Sequence, residues 1–82
     1  MSALNKFLEE KGLSGRDAMV ATLVTRGLSN KAIGEALAIK TSTAKFHVTN
    51  ILSKFQLTSR AQLIVKLLPL ITDKDMGAEL VK

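Results

Sequence analysis

Residues 28–55 read LSNKAIGEALAIKTSTAKFHVTNILSKF. Ser29 stands ahead of a run in which Ile33, Ala36 and Leu37 recur at helical spacing, which predicts a short helix capped by the Ser29 hydroxyl. Ala38-Ile39-Lys40 is too short for anything but a tight connector. A longer helical pattern follows, expected over about 42–56 and capped by Thr41 or Ser42. Gly34 lies inside the first helix, where glycine is less stable than alanine. Close approach of the next helix would explain it; so would simple tolerance. A short helix, a three-residue connector and a longer helix make the plan of a helix-turn-helix.

A helical wheel divides the longer segment. Ala44, Val48, Ile51, Leu52 and Phe55 gather on one side as a core stripe. Ser42, Phe46, Thr49 and Ser53 gather on the other, with Lys45 and Asn50 at the margins and His47 and Lys54 on one flank. Phe46 therefore points away from the core. An apolar ring among hydroxyls is better placed when something covers it. In a DNA major groove the ring can lie against thymine methyls, Lys45 can reach guanine acceptors, and Thr49 can bond either kind of base. The alternative is that an N- or C-terminal helix packs over the ring.

Outward from this stretch the chain continues as helices. Leu4, Phe7 and Leu8 share one side of a first helix over about 1–12, with Ser2 as cap and Gly12 as its left-handed stop. S-G-R-D at 14–17 resembles a capping box, Asp17 standing where Glu is usual. Val20, Leu23 and Val24 form the stripe of that second helix, and Gly27 ends it. Thr58 or Ser59 starts a helix running to about Leu68, before Pro69. Thr72 with Asp75 can cap a short helix through Val81, which Gly77 weakens. Strand alternation is absent. The expected fold is all-α: a compact helical bundle in one domain, with the helix-turn-helix core over 13–68 and an extension over 69–82.

Composition narrows the function. Eighty-two residues build a shallow core with little room for a catalytic cleft. The chain has no Cys and one His, so no several-ligand metal site, and no nucleophile motif or phosphate-binding glycine loop supports catalysis. No enzyme activity, cofactor or metal is expected. The absence of cysteine points to a reducing compartment. The N-terminus lacks a signal-peptide core, and the apolar run 63–71 is too short for a membrane span. Net charge is +5. From Ala36 to Thr72 there is no acid, yet Lys40, Lys45, Lys54, Arg60 and Lys66 all fall there. Such a stretch attracts polyanions, unless it is only a solvated basic face.

Residues 13–64 resemble the LuxR/NarL-type (GerE-like) DNA-binding domain. That pattern runs roughly L-T-x-R-E, G-x-S-N-K-E-I-A, L-x-I-S-x-x-T-V-K-x-H, N-I-x-x-K-L-x-V, then R. Leu13, Arg16, Gly27, Ser29, Asn30, Lys31, Ile33, Leu37, Ile39, Thr43, Lys45, His47, Asn50, Ile51, Lys54 and Arg60 match it without a gap. The resemblance implies a four-helix domain whose third helix enters the major groove of double-stranded DNA. Lys45, Phe46 and Thr49 would face bases. Asn30, Lys31, Thr43, His47 and Lys54 would meet phosphates, joined at the start of the helix by Lys40, Thr41 and Ser42. It also implies a bacterial transcriptional regulator of the cytoplasm and nucleoid, dimeric through the helix at 59–68, with RNA polymerase or another regulator as a further contact. Val65 and Leu68, left outside with Gln62 and Lys66 when Leu63, Ile64, Leu67 and Ile71 face inward, are the expected dimer surface; the alternative is that the N- or C-terminal helix covers them.

The chain departs from the pattern in places. Met19 and Ala32 replace expected Glu, and Ala32 loses the carboxylate of a capping box with Ser29. Lys40 replaces Ser, so the longer helix caps on Thr41 or Ser42 or stays uncapped. Ala38 stands where Gly is common, at a cost of roughly 1 kcal/mol if that backbone needs positive φ. The family's usual sensing domain does not fit in this length. The initiating Met and the helix ahead of residue 13 point to a stand-alone regulator rather than an excised domain. Two rivals remain open: a protein-interaction module of the same fold, motivated by the apolar last helix and the missing Glu residues, and a helix-turn-helix of the sigma-factor kind.

Overall fold

The computed structural model describes residues 3–13 and 15–71. Five helices follow one another: α1 (Ala3–Glu10), α2 (Arg16–Thr25), α3 (Asn30–Leu37), α4 (Thr41–Lys54) and α5 (Arg60–Leu67), with a 3-10 turn at Leu68–Leu70. The all-α class and the helix-turn-helix are as the sequence implies. The expected caps at Ser2 and Ser14 and the helix from Thr72 to Val81 lie outside the described residues.

One device ends four of the helices. Gly12, Gly27, Ala38 and Gln56 all have positive φ, and the residue after each sends its N–H back to the carbonyl five positions earlier: Leu13 to Leu8, Leu28 to Leu23, Ile39 to Gly34 and Leu57 to Leu52. This is the Schellman arrangement, which bonds carbonyls the helix end leaves open. Each of those following residues is apolar and packs in or against the core, so each turn also anchors the chain. Gly12 and Gly27 are placed as expected. Ala38 does adopt the left-handed conformation, at φ 58° and ψ 44°, and so carries the strain that glycine would avoid. Gln56, at φ 56°, was not anticipated because its side chain gives no sign of a helix stop.

Gly34 is explained by the next turn. A Cβ on it would stand 2.7 Å from the Ile39 carbonyl oxygen and 3.4 Å from backbone atoms of Lys40 and Thr41. The connector therefore lies directly on the face of α3, where only hydrogen fits. This close packing corrects the expected stripe of α3. Ile33 and Gly34 are buried and Leu37 is half-buried, but Ala36 is exposed. The helix is turned so that Gly34, rather than Ala36, meets its neighbour.

The core joins all five helices. Leu4 and Leu8 of α1, Val20 and Val24 of α2, Ile33 of α3, Ala44 and Ile51 of α4, and Leu63 and Leu67 of α5 are inaccessible to solvent. The helix α1 is also fixed by rings. Phe7 stacks on Phe55 with centroids 5.8 Å apart and planes 7° from parallel. Lys11 Nζ lies 5.6 Å from the Phe7 centroid, and Lys66 Nζ lies 5.7 Å from that of Phe55. Each cation meets the negative face of a ring. No helix among the described residues is long and apolar enough to cross a membrane.

Candidate nucleic-acid interface

The helix α4 is held on its inner edge and open on its outer one. Ala44, Val48 and Ile51 are buried, with Leu52 and Phe55 packed beside them. Ser42, Lys45, Phe46, Thr49 and Ser53 are exposed, Phe46 by 67%. The wheel assignment holds, and α1 does not cover Phe46: its one ring, Phe7, goes to Phe55 and its leucines to the core.

The start of α4 differs from one expectation. Lys40 occupies the N-cap position and no side chain caps the helix; Thr41 and Ser42 already lie within it. Ala44 N–H is the first to bond back, to the Lys40 carbonyl. The backbone N–H groups of Thr41, Ser42 and Thr43 precede it and have no partner within the helix, as at any α-helix start. The chain made the opposite choice at α3 and α5. Ser29 accepts from Ala32 N at 3.1 Å. Ser59 accepts from Gln62 N while Gln62 Oε1 accepts from the N–H groups of Thr58 and Ser59, a full capping box. Gln62, expected on a dimer surface, thus has its side-chain oxygen engaged within its own helix start.

Two side-chain clusters hold the helix-turn-helix to its neighbours. In the first, Asp17 of α2 reaches α4: its Oδ1 lies 2.8 Å from His47 Nδ1, and its Oδ2 accepts from Asn50 Nδ2 at 3.1 Å. Both partners sit one turn apart on one flank of α4, so the carboxylate sets how that helix is turned about its axis. The expectation that Asp17 completes a capping box is corrected: both its oxygens are used across the structure, and Gly15 begins α2 with no side-chain cap. In the second cluster, Arg60 at the start of α5 donates to Asn30 Oδ1 at 2.9 Å and to the Leu28 carbonyl, fixing the start of α3. Arg16 Nη1 reaches the Leu37 carbonyl at 3.4 Å.

The expected backbone-contacting residues divide accordingly. Lys31, Lys40, Thr41, Ser42 and Lys54 are exposed, and Thr43 is half-buried. His47 and Asn30 are half-buried and already hold Asp17 and Arg60 respectively. For Asn30 the amide oxygen is engaged, which leaves its NH₂ as the group suited to a phosphate. Lys54 Nζ lies 3.9 Å from where a Gly12 Cβ would stand, beside the end of α1. On α5, Val65 is 72% and Leu68 52% exposed, whereas Lys66 turns back over Phe55. Residue-type reasoning missed Asp17 and Arg60 as partners of this surface. Arg60 matches the family pattern and Asp17 keeps a carboxylate where the pattern has Glu, which were signals, but a contact 30 or more residues away leaves no local periodicity. Among the described residues no group of three or more His, Cys, Asp or Glu is placed to hold a metal.

Comparison with known proteins agrees with this architecture. The family model described as bacterial regulatory proteins, luxR family, matches residues 11–67. The chain is 46% identical over 54 residues to the transcriptional regulatory protein DegU of Brevibacillus brevis, covering 66% of this chain and 23% of that protein. It is 41% identical over 58 residues to the transcriptional regulatory protein LiaR of Bacillus subtilis, covering 71% and 28%. The response regulator protein VraR of Staphylococcus aureus is 38% identical over 53 residues, covering 65% and 25%. The matched segment spans about a quarter of the length of these curated relatives. No solved structure matches. With the matched family model covering α2 to α5, the chain belongs to the luxR family of bacterial regulatory proteins.

Proposed function

We propose that this chain is a sequence-specific DNA-binding transcriptional regulator that inserts α4 into the major groove. The observation that carries the reading is the outer edge of α4, where Lys45, Phe46 and Thr49 stand exposed together on a helix whose inner edge is sealed. A rigid helix with a few free side chains is what direct base readout needs. Lys45 presents a cation to guanine N7 and O6, Phe46 an apolar surface, and Thr49 a hydroxyl of either polarity.

Backbone contacts then fix the register. Lys31, Lys40 and Lys54, with the hydroxyls of Thr41, Ser42 and Thr43, would supply these contacts, joined by His47 and the Asn30 NH₂. The uncapped start of α4 favours the same role, because unbonded N–H groups and the positive end of the helix dipole suit a phosphate. Val65 and Leu68 on α5 are the surface for a second copy, which would set two reading helices on half-sites about one helical turn apart. Gln62 and Lys66 flank that surface. The relatives named as regulators favour this reading over a module that binds only protein.

In vitro selection from a random DNA pool tests it. A recovered palindrome is the expected outcome; no enrichment at moderate salt would sink the proposal. Lys31→Ala on the recovered site should weaken all sequences alike and lower the slope of log Kd against log salt by about 1, as one phosphate contact is lost.

A further inference from the structure

Asp17 uses both carboxylate oxygens on α4, one against His47 Nδ1 at 2.8 Å and one against Asn50 Nδ2 at 3.1 Å. A carboxylate offers only acceptors, so the proton in the His47 bond belongs to Nδ1. In a neutral imidazole this leaves Nε2 as a bare acceptor. A phosphate oxygen is an acceptor too, and the two cannot bond. The imidazolium has an N–H on each nitrogen and can bridge Asp17 and a phosphate together.

We propose that Asp17 is a positioning residue that fixes the Nδ1–H tautomer of His47, so that His47 engages the DNA backbone only as the imidazolium and complex formation takes up one proton. This rests on the reading of α4 as the DNA-facing helix. The proton comes from solvent to Nε2 as the phosphate arrives and returns to solvent on dissociation.

The charged groups around the ring allow this exchange. From α2, the Asp17 carboxylate meets His47 Nδ1, and the adjacent Arg16 reaches the Leu37 carbonyl instead. On α4 itself Lys54, along the same flank, has its Nζ beside Gly12, and the Phe46 ring meets the imidazole edge-on at 5.8 Å. On α3 Lys31 and Glu35 are exposed, Lys11 after α1 lies over Phe7, and on α5 Arg60 holds Asn30 while Lys66 lies over Phe55. The His47 side chain keeps 20% of its surface accessible, enough for an edge to meet a ligand.

The test is the affinity of the full chain for its selected site at fixed ionic strength, by fluorescence anisotropy between about pH 6 and 8.5, across the range in which imidazoles titrate. The Kd of the parent should rise with pH, by at most about tenfold per unit, the limit set by uptake of one proton. His47→Gln should flatten the profile. Asp17→Asn should flatten it as well, because an amide can pair with either tautomer, and Asp17→Glu should restore it. A parent whose specific binding is unchanged over the range overturns the proposal, as does a folded Asp17→Asn protein that keeps the full slope. A parent that binds no DNA at any pH overturns the reading of the interface itself. Nitrogen-15 spectra of His47 in the free parent, well above neutral pH, decide the tautomer whether or not the variants fold. Nδ1–H is expected, and Nε2–H overturns the proposal.

Discussion

Ala44, Val48 and Ile51 line one edge of α4 and are buried, while Phe46, between two of them in sequence, is 67% exposed on the other. The two edges lie on one helix with one backbone, yet different constraints act on them. The inner edge answers to packing density, where a missing methylene leaves a void. The outer edge is open among the described residues apart from the Phe46 ring meeting His47, so packing constrains its residue types little. The comparison teaches that one helix can carry a sealed edge and an open edge on opposite sides.

The largest expected effect tests the inner edge. Ile51→Ala should lower stability by about 2–5 kcal/mol in urea unfolding, since a fully enclosed side chain is lost. At temperatures where the variant is still folded it should select the same DNA site as the parent. A changed site would break the separation. Next is Lys45→Ala, expected to weaken binding of the selected site by about 1–3 kcal/mol and relax one base preference, with an unchanged melting temperature. Parental binding by this variant would remove Lys45 from the reading edge.

Two smaller effects examine how α4 is seated. Gly34→Ala gains roughly 1 kcal/mol of helix propensity but drives a Cβ to 2.7 Å from the Ile39 oxygen. Overpacking against backbone costs about 1–3 kcal/mol, so a net loss of up to about 2 kcal/mol is expected in thermal unfolding. A stabilised variant would mean that the corner has slack. Ala38→Gly should do the reverse. It relieves a left-handed alanine but gives the unfolded chain more freedom, for a net gain of about 0.5–1 kcal/mol. With the reading edge untouched, its DNA affinity should match the parent's.

Much of this was legible beforehand because it is local. A 3.6-residue period puts Val48 and Ile51 opposite Phe46 whatever surrounds them. Gly12 and Gly27 end helices because few other residues take that conformation cheaply. Ser29 and Ser59 cap for reasons contained within four residues. The misreadings occur where a distant group intervenes. Ala36 has the spacing of a core residue, yet the connector settles on Gly34 and turns the helix. Asp17 has the position of a cap, yet its carboxylate finds His47 and Asn50 some thirty residues away. Gln56 carries no local sign of the turn it makes, and the burial of Leu57 beside it supplies one reason for it.

The sequence by itself determined the helices, most of their ends, the two edges of α4 and the basic, acid-free run that includes it. Hydrophobic period, glycine conformation and charge are properties of neighbouring residues and survive in a linear text. Tertiary structure alone decided the pairs: Asp17 with His47 and Asn50, Arg60 with Asn30, Phe7 with Phe55, and Gly34 with the backbone of the next turn. A hydrogen bond or ring contact depends on where two remote chain segments meet within a few tenths of an ångström. Only packing of the whole core fixes that.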